Sequence, residues 1–311
     1  TNTDLRGEGF NLNFWNDRRI KEIIELVKSD RELFLGIRHG SFNIYYKSMS
    51  ILRVDSSFTG IIHSKYAKQY QPIYSLHKGI VRERATEVGN DDFTNGSKDE
   101  KYYAFNIDDQ FIQAFIKAVK DKGLGLKSII DKHVHNRGHG TIKKGYLEKI
   151  AQHNIIIKNN QDPASRWYCV DMEYCSPGLG FGRFDIIAIS KEKNQDSRYD
   201  VALIELKYGD ASYSDYGKQS NYHNAYIEAL NLYDSAKKKR RYYCHIQDNE
   251  IYKVSFGAGI VGHCYNFSQF LFRNKGEAYT NLKKEICNIL NLKINLDLLD
   301  NTSIDGIGSN S

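Results

Sequence analysis

Hydrophobic and polar positions alternate along this chain in two rhythms, and the change of rhythm divides it. Ile20, Ile23, Ile24 and Val27 recur at helical spacing and predict a helix over 15–28. The pattern then shortens: Leu33 to Ile37, Phe42 to Lys47 and Ile51 to Val54 read as three strands of an antiparallel meander. His39-Gly40 and Ser48 to Ser50 supply its turns, and Phe58 to Tyr66 reads as a further strand. A polar stretch from Glu83 to Lys101, with Gly89-Asn90-Asp91-Asp92 and Asn95-Gly96-Ser97, reads as an exposed loop. A helix follows over 107–122, where Asp108-Asp109 complement the dipole of the first turn and Gly123 to Gly125 end it.

The second half begins with a helix around Gly145 to Ala151, then strands at Trp167 to Tyr174, Gly182 to Ser190 and Asp200 to Tyr208. A long helix is expected over 215–238, strands at Tyr242 to Ile246 and Ile251 to Phe256, and a last helix at Leu282 to Leu290. The expected division is an N-terminal α+β accessory module over 1–125, a second domain over 126–295, and a polar, disordered tail over 296–311.

One strand breaks its own pattern. Val201-Ala202-Leu203-Ile204-Glu205-Leu206-Lys207 reads as an interior strand, yet it carries a carboxylate and an ammonium. Burying an ion costs several kcal/mol, of the order that unfolds a marginal domain, unless it is paired or binds a metal. Glu205 and Lys207 project from one face roughly 7 Å apart along the strand. If Asp185, in Phe184-Asp185-Ile186-Ile187, lies on the neighbouring strand, two carboxylates and a lysine converge. Such a pair suits a hard divalent cation, and a lysine beside it can orient water and offset charge on a phosphate. The plainer alternative is a cross-strand ion pair on a solvated sheet face.

These residues resemble the PD-(D/E)xK, or restriction-endonuclease-like, nuclease superfamily: Gly182-Arg183-Phe184-Asp185 on one strand and Glu205-Leu206-Lys207 on the next. Phe184 stands where the superfamily's name has Pro. The resemblance covers about 126–265 and implies a mixed α/β sheet core flanked by helices. It further implies a Mg²⁺-dependent enzyme, with Mn²⁺ able to substitute, that cuts nucleic acid, DNA before RNA, in phage defence, restriction or repair; the alternative is a nuclease-like fold that no longer cuts and serves as a nucleic-acid-binding or interaction module. Asp185, Glu205 and the Leu206 carbonyl would hold the metal while Lys207 positions water. A further carboxylate is expected from the preceding helix, Glu148, or alternatively from Glu173. Gln219, in Lys218-Gln219-Ser220-Asn221-Tyr222, is a candidate for hydrogen-bonding phosphate. Double-strand cutting would call for two sites, hence a possible homodimer.

Charge modifies this picture only a little. Lys and Arg number 44 against 38 Asp and Glu, a net +6, which suits a polyanionic partner without requiring one. Clustering is more telling: Lys237-Lys238-Lys239-Arg240-Arg241 is a candidate phosphate-contacting run, with Lys143-Lys144 beside it in function if not in sequence. A charge run at a helix end is also an ordinary solvated face. His133-Val134-His135 to His139 reads as an exposed polar loop, with no Cys nearby to complete a zinc site. The 22 tyrosines can stack on bases or simply pack amphipathic faces. Five widely spaced cysteines without a CxxC pair, no apolar run long enough for a membrane and no leader pattern give the expectation of a cytoplasmic protein with reduced thiols.

Overall fold

The structure, a computed structural model, describes residues 5–11, 13–83, 100–135, 141–143, 146–175, 183–206, 242–247, 250–255, 270–271 and 277–299. It is a mixed α+β fold built on antiparallel sheets. Helix α1 spans Arg18–Ser29 and buries Ile20, Ile23, Ile24, Leu26 and Val27. It starts later than the periodicity suggests because the Asp17 side chain accepts the Arg19 N–H at 2.9 Å, capping the helix there. Trp15, just before the cap, packs instead among Phe10, Phe14 and Phe42.

Six strands form the first sheet, in the order β1-β2-β3-β4-β6-β5, with every neighbouring pair antiparallel: β1 Phe34–Ile37, β2 Ser41–Tyr46, β3 Met49–Asp55, β4 Thr59–His63, β5 Gly79–Glu83 and β6 Glu100–Asn106. The predicted meander is its first half. The β2–β3 turn sits at Lys47 and Ser48, both at positive φ (51° and 59°), the pair of left-handed residues that matches hairpin twist. The strand expected over Phe58 to Tyr66 is shorter: it ends at His63, whose Nδ1 accepts the Lys65 N–H at 3.1 Å and opens a helical turn, α2 (Ser64–Ala67). A second turn, α3 (Gln71–Tyr74), leads into β5. Strands β5 and β6 flank the stretch read as a loop; its residues 84–99 lie outside the described ones.

Helix α4 (Asp109–Lys120) is capped by Asp108, which accepts the Phe111 N–H at 2.9 Å. Next comes α5, Leu126–Val134, which replaces part of the expected polar loop: Leu126, Ile129, Ile130 and Val134 are its buried stripe. His133 therefore belongs to a helix, and its Nε2 pairs with the Tyr146 hydroxyl at 2.7 Å. Helix α6 (Leu147–Gln161) precedes a three-stranded antiparallel sheet, β7-β8-β9: β7 Trp167–Cys175, β8 Arg183–Ser190 and β9 Val201–Ile204. A separate hairpin joins β10 (Tyr242–Gln247) to β11 (Glu250–Ser255), and α7 (Glu277–Asn295) follows. The helix expected over 215–238 lies outside the described residues, as do 300–311; Leu299, at the start of the expected tail, is buried.

Packing is continuous across residue 125. One hydrophobic cluster takes in Ile20 of α1, Phe115 of α4, Tyr168 and Val170 of β7 and Ile286 of α7. A smaller one joins Phe34 and Tyr45 of the first sheet to Ile156 of α6 and to Cys169, Met172, Ile186 and Ala188 of the second. An ionic network completes the join. Asp171, on β7 and fully buried, is paired with Arg6 and with Arg38, whose Nη1 lies 2.6 and 2.8 Å from its two oxygens. Burial pushes this carboxyl up, but the two guanidiniums outweigh burial and hold it below its ordinary value. Arg6 also bonds the Glu173 carbonyl at 3.1 Å, and its main-chain N–H bonds Glu285 of α7 at 2.9 Å. Strand β7 is thus fixed from both ends of the chain. No helix among the described residues is long and apolar enough to cross a membrane.

Candidate metal centre

The register of β8 and β9 decides where the singled-out carboxylates fall. Ile189 pairs with Val201, Ala188 with Ala202, Ile187 with Leu203 and Ile186 with Ile204. The pairing ends there: Asp185, on β8, and Glu205, just past β9, are each the next residue beyond the last pair.

Side-chain packing agrees that the alternation continues beyond the end of β9. Ala202, Ile204 and Leu206 all pack on the smaller cluster with Ile186 and Ala188. Val201 and Leu203 pack on the larger one with Ile187 and Ile189. Strict alternation would put Glu205 and Asp185 on the side of Leu203 and Ile187, but Phe184, beside Asp185, also packs on the larger cluster, out of step with Ile186. A hydrogen bond ties the two strands at this level: the Leu206 N–H donates to Asp185 Oδ2 at 2.6 Å.

Asp185 is buried, whereas Glu205 and Leu206 are half-buried. The expectation of a doubly buried strand at 201–207 needs correction here. All four residues of β9 are half-buried, and among the described residues β9 is the edge of its sheet. Glu205 is half-buried as a residue, yet its Oε2 is shielded from solvent.

Glu173 enters the same row from the other side. On β7, Met172 pairs with Ile186 and Tyr174 with Phe184, so Glu173 stands between them at the level of Asp185. It is buried and has a φ of 53°, a left-handed backbone that costs a non-glycine residue roughly 1 kcal/mol or more. The acidic positions 173 and 185 thus occupy one level on adjacent strands. Glu148 sits in the first turn of α6, half-buried, one turn before Gln152 on the same stripe. Gln152 Nε2 donates to the Asp185 carbonyl at 2.6 Å, so α6 grips the main chain that carries the acid.

Among the described residues no three His, Cys, Asp or Glu side chains form a ready metal cage. Asp185 and Glu205, with the Leu206 carbonyl, supply hard oxygen atoms where the β8–β9 pairing ends, of the kind Mg²⁺ takes. Lys207, Gln219 and the basic run Lys237, Lys238, Lys239, Arg240 and Arg241 lie outside the described residues.

Sequence reading passed over Gln152 and Asp171. Val170-Asp171-Met172 carries the same signature as Ile204-Glu205-Leu206, an acid between apolar strand residues, and would have flagged Asp171 by the same rule. Gln152 had no such mark: an amide in an amphipathic helix is commonplace. No family model, curated protein or solved structure matches the chain.

Proposed function

We propose that this protein is a metal-dependent phosphodiesterase acting on nucleic acid, DNA before RNA, on a restriction-endonuclease-like core formed by α6, β7, β8 and β9. The observation that carries the reading is the end of the β8–β9 pairing, where the Leu206 N–H bonds the Asp185 carboxylate and Glu205 is the residue before it. In this reading Asp185, Glu205 and the Leu206 carbonyl hold Mg²⁺. The bound ion would supply Lewis acidity toward a phosphoryl oxygen and toward water.

The chain's own groups do the rest. The Leu206 N–H, bonded to Asp185 Oδ2, holds the rotamer of Asp185. Gln152 holds the Asp185 main chain against sliding. Lys207, two positions beyond Glu205, is assigned from spacing alone to orient the attacking water and offset charge on the phosphate. Glu173, at the level of Asp185, is favoured over Glu148 as the third acid because its backbone strain persists at the row itself.

The test is cleavage of single- and double-stranded DNA and RNA by the purified chain with Mg²⁺, Mn²⁺ or EDTA. The expected result is metal-dependent cutting that Asp185→Asn, Glu205→Gln and Lys207→Ala each lower by about 10²-fold or more. Full activity in any of these variants would sink the assignment.

A further inference from the structure

A second surface, on the first sheet, has the chemistry of a polynucleotide strand. Residues 56–82 contain Lys65, Lys68, Lys78 and Arg82 and not one Asp or Glu. In a chain where acids and bases nearly balance, an acid-free stretch this long concentrates positive charge. Part of it lies on one face. Ile80 of β5 pairs with Tyr103 of β6, so Ile80, Lys101 and Tyr103 share one side of the ribbon, with Lys78 at its start.

Aromatic rings lie among these cations. Tyr103 is buried beneath His77 (ring centroids 4.6 Å) and Tyr74 (5.3 Å), while Lys68 Nζ stands 5.9 Å from its ring. Tyr74 and His77 are half-exposed, Lys68, Lys78 and Lys101 exposed, and Ile80 is 56% exposed, one of only two large apolar residues so open among the described ones. Flat rings and an apolar side chain surrounded by lysines match stacked bases on a charged backbone. In a duplex the base faces are covered, and rings of this kind would have nothing to stack on.

We infer that the β5–β6 face, with Tyr74 and His77 beside it, binds single-stranded nucleic acid. Lys68, Lys78 and Lys101 contact phosphates, and Tyr74, His77 and Ile80 meet bases. This surface is distinct from the Asp185–Glu205 row and binds whether or not that row cuts.

The experiment is fluorescence anisotropy with oligo(dT) and oligo(rU) of about twenty nucleotides, longer than a typical single-strand site. EDTA is included so that no cleavage intrudes. The triple variant Lys68→Glu/Lys78→Glu/Lys101→Glu should bind about ten-fold or more weakly, with a salt dependence shallower by about two in the log–log slope, since each phosphate contact contributes roughly 0.7. Tyr74→Leu, which keeps bulk but removes the π face, should weaken binding about five-fold or more. The control is Lys21→Glu/Lys283→Glu/Lys284→Glu on α1 and α7, which should change affinity less than three-fold. Equal loss in both triple variants, tighter binding of duplex than of single strands, or no binding by the unmodified chain would overturn the inference. Binding that depends on the three lysines without any metal-dependent cutting would uphold this surface and sink the hydrolytic proposal alone.

Discussion

Two carboxylates sit in neighbouring strands of one sheet, and they are held in opposite ways. Asp171 on β7 is clasped by two guanidiniums, Arg6 and Arg38, that close over both its oxygens. Asp185 on β8 receives a main-chain N–H from Leu206, where the β8–β9 pairing ends. Pairing with fixed cations makes a buried acid part of the frame. A main-chain N–H holds an acid in place without cancelling its charge, and that is how a candidate site is set apart from a brace.

Substitutions should separate the brace from the site. The largest expected effect is Asp171→Ala, which leaves two arginines without their anion and should destabilise the fold by about 3–5 kcal/mol, read as a shifted urea midpoint. Replacing Arg6, Arg38 and Asp171 together with apolar residues of similar size should recover most of that loss; failure to recover would mean that the network does more than brace. Next comes the site. Asp185→Asn and Glu205→Gln should lower metal-dependent cleavage by about 10²–10³-fold, yet shift the urea midpoint little, because both keep an oxygen acceptor. If they unfold the protein as Asp171→Ala does, the contrast collapses.

Acid should act on a third buried group. Burial lowers the His153 pKa to about 4, against the weaker upward pull of its bond to the Glu32 carbonyl. The unfolded chain takes up this proton near pH 6.5, the native chain not until about 4. Stability is therefore full above pH 6.5 and falls as pH drops toward 4, by up to about 3 kcal/mol. His153→Gln should flatten that limb in a pH series of chemical melts; an unchanged limb would move the cause to the carboxylates. The smallest effect is Glu173→Gly. Relief of the left-handed strain should raise stability by up to about 1 kcal/mol while cleavage falls, whereas stability gained with cleavage unchanged would remove Glu173 from the site.

Much of the frame was legible before folding was considered. The helix of Ile20 to Val27, the meander and the three strands of the second sheet all follow from spacing. The β8–β9 pairing was legible too, because two apolar runs joined by one polar turn have few other ways to pair. What escaped has physical reasons. Helix α5 has a clear stripe, Leu126, Ile129, Ile130 and Val134, but three histidines nearby drew the eye toward a loop. Strands β5 and β6 lack strict alternation and flank a long polar stretch, so neither looks like a strand on its own. The role of Asp171 was beyond local reading altogether: its partners are 133 and 165 residues away in sequence.

That distance has a consequence for how the molecule comes into being. The β2–β3 hairpin closes over two residues and can form as soon as it is made, whereas Arg6 finds Glu285 only across 279 residues of chain. Contacts of such sequence separation must wait for loop closure and slow the search for the native state. During synthesis, then, Arg6 and Arg38 can close on Asp171 as the second sheet pairs, but the tie from Arg6 to Glu285 stays open until α7 has left the ribosome.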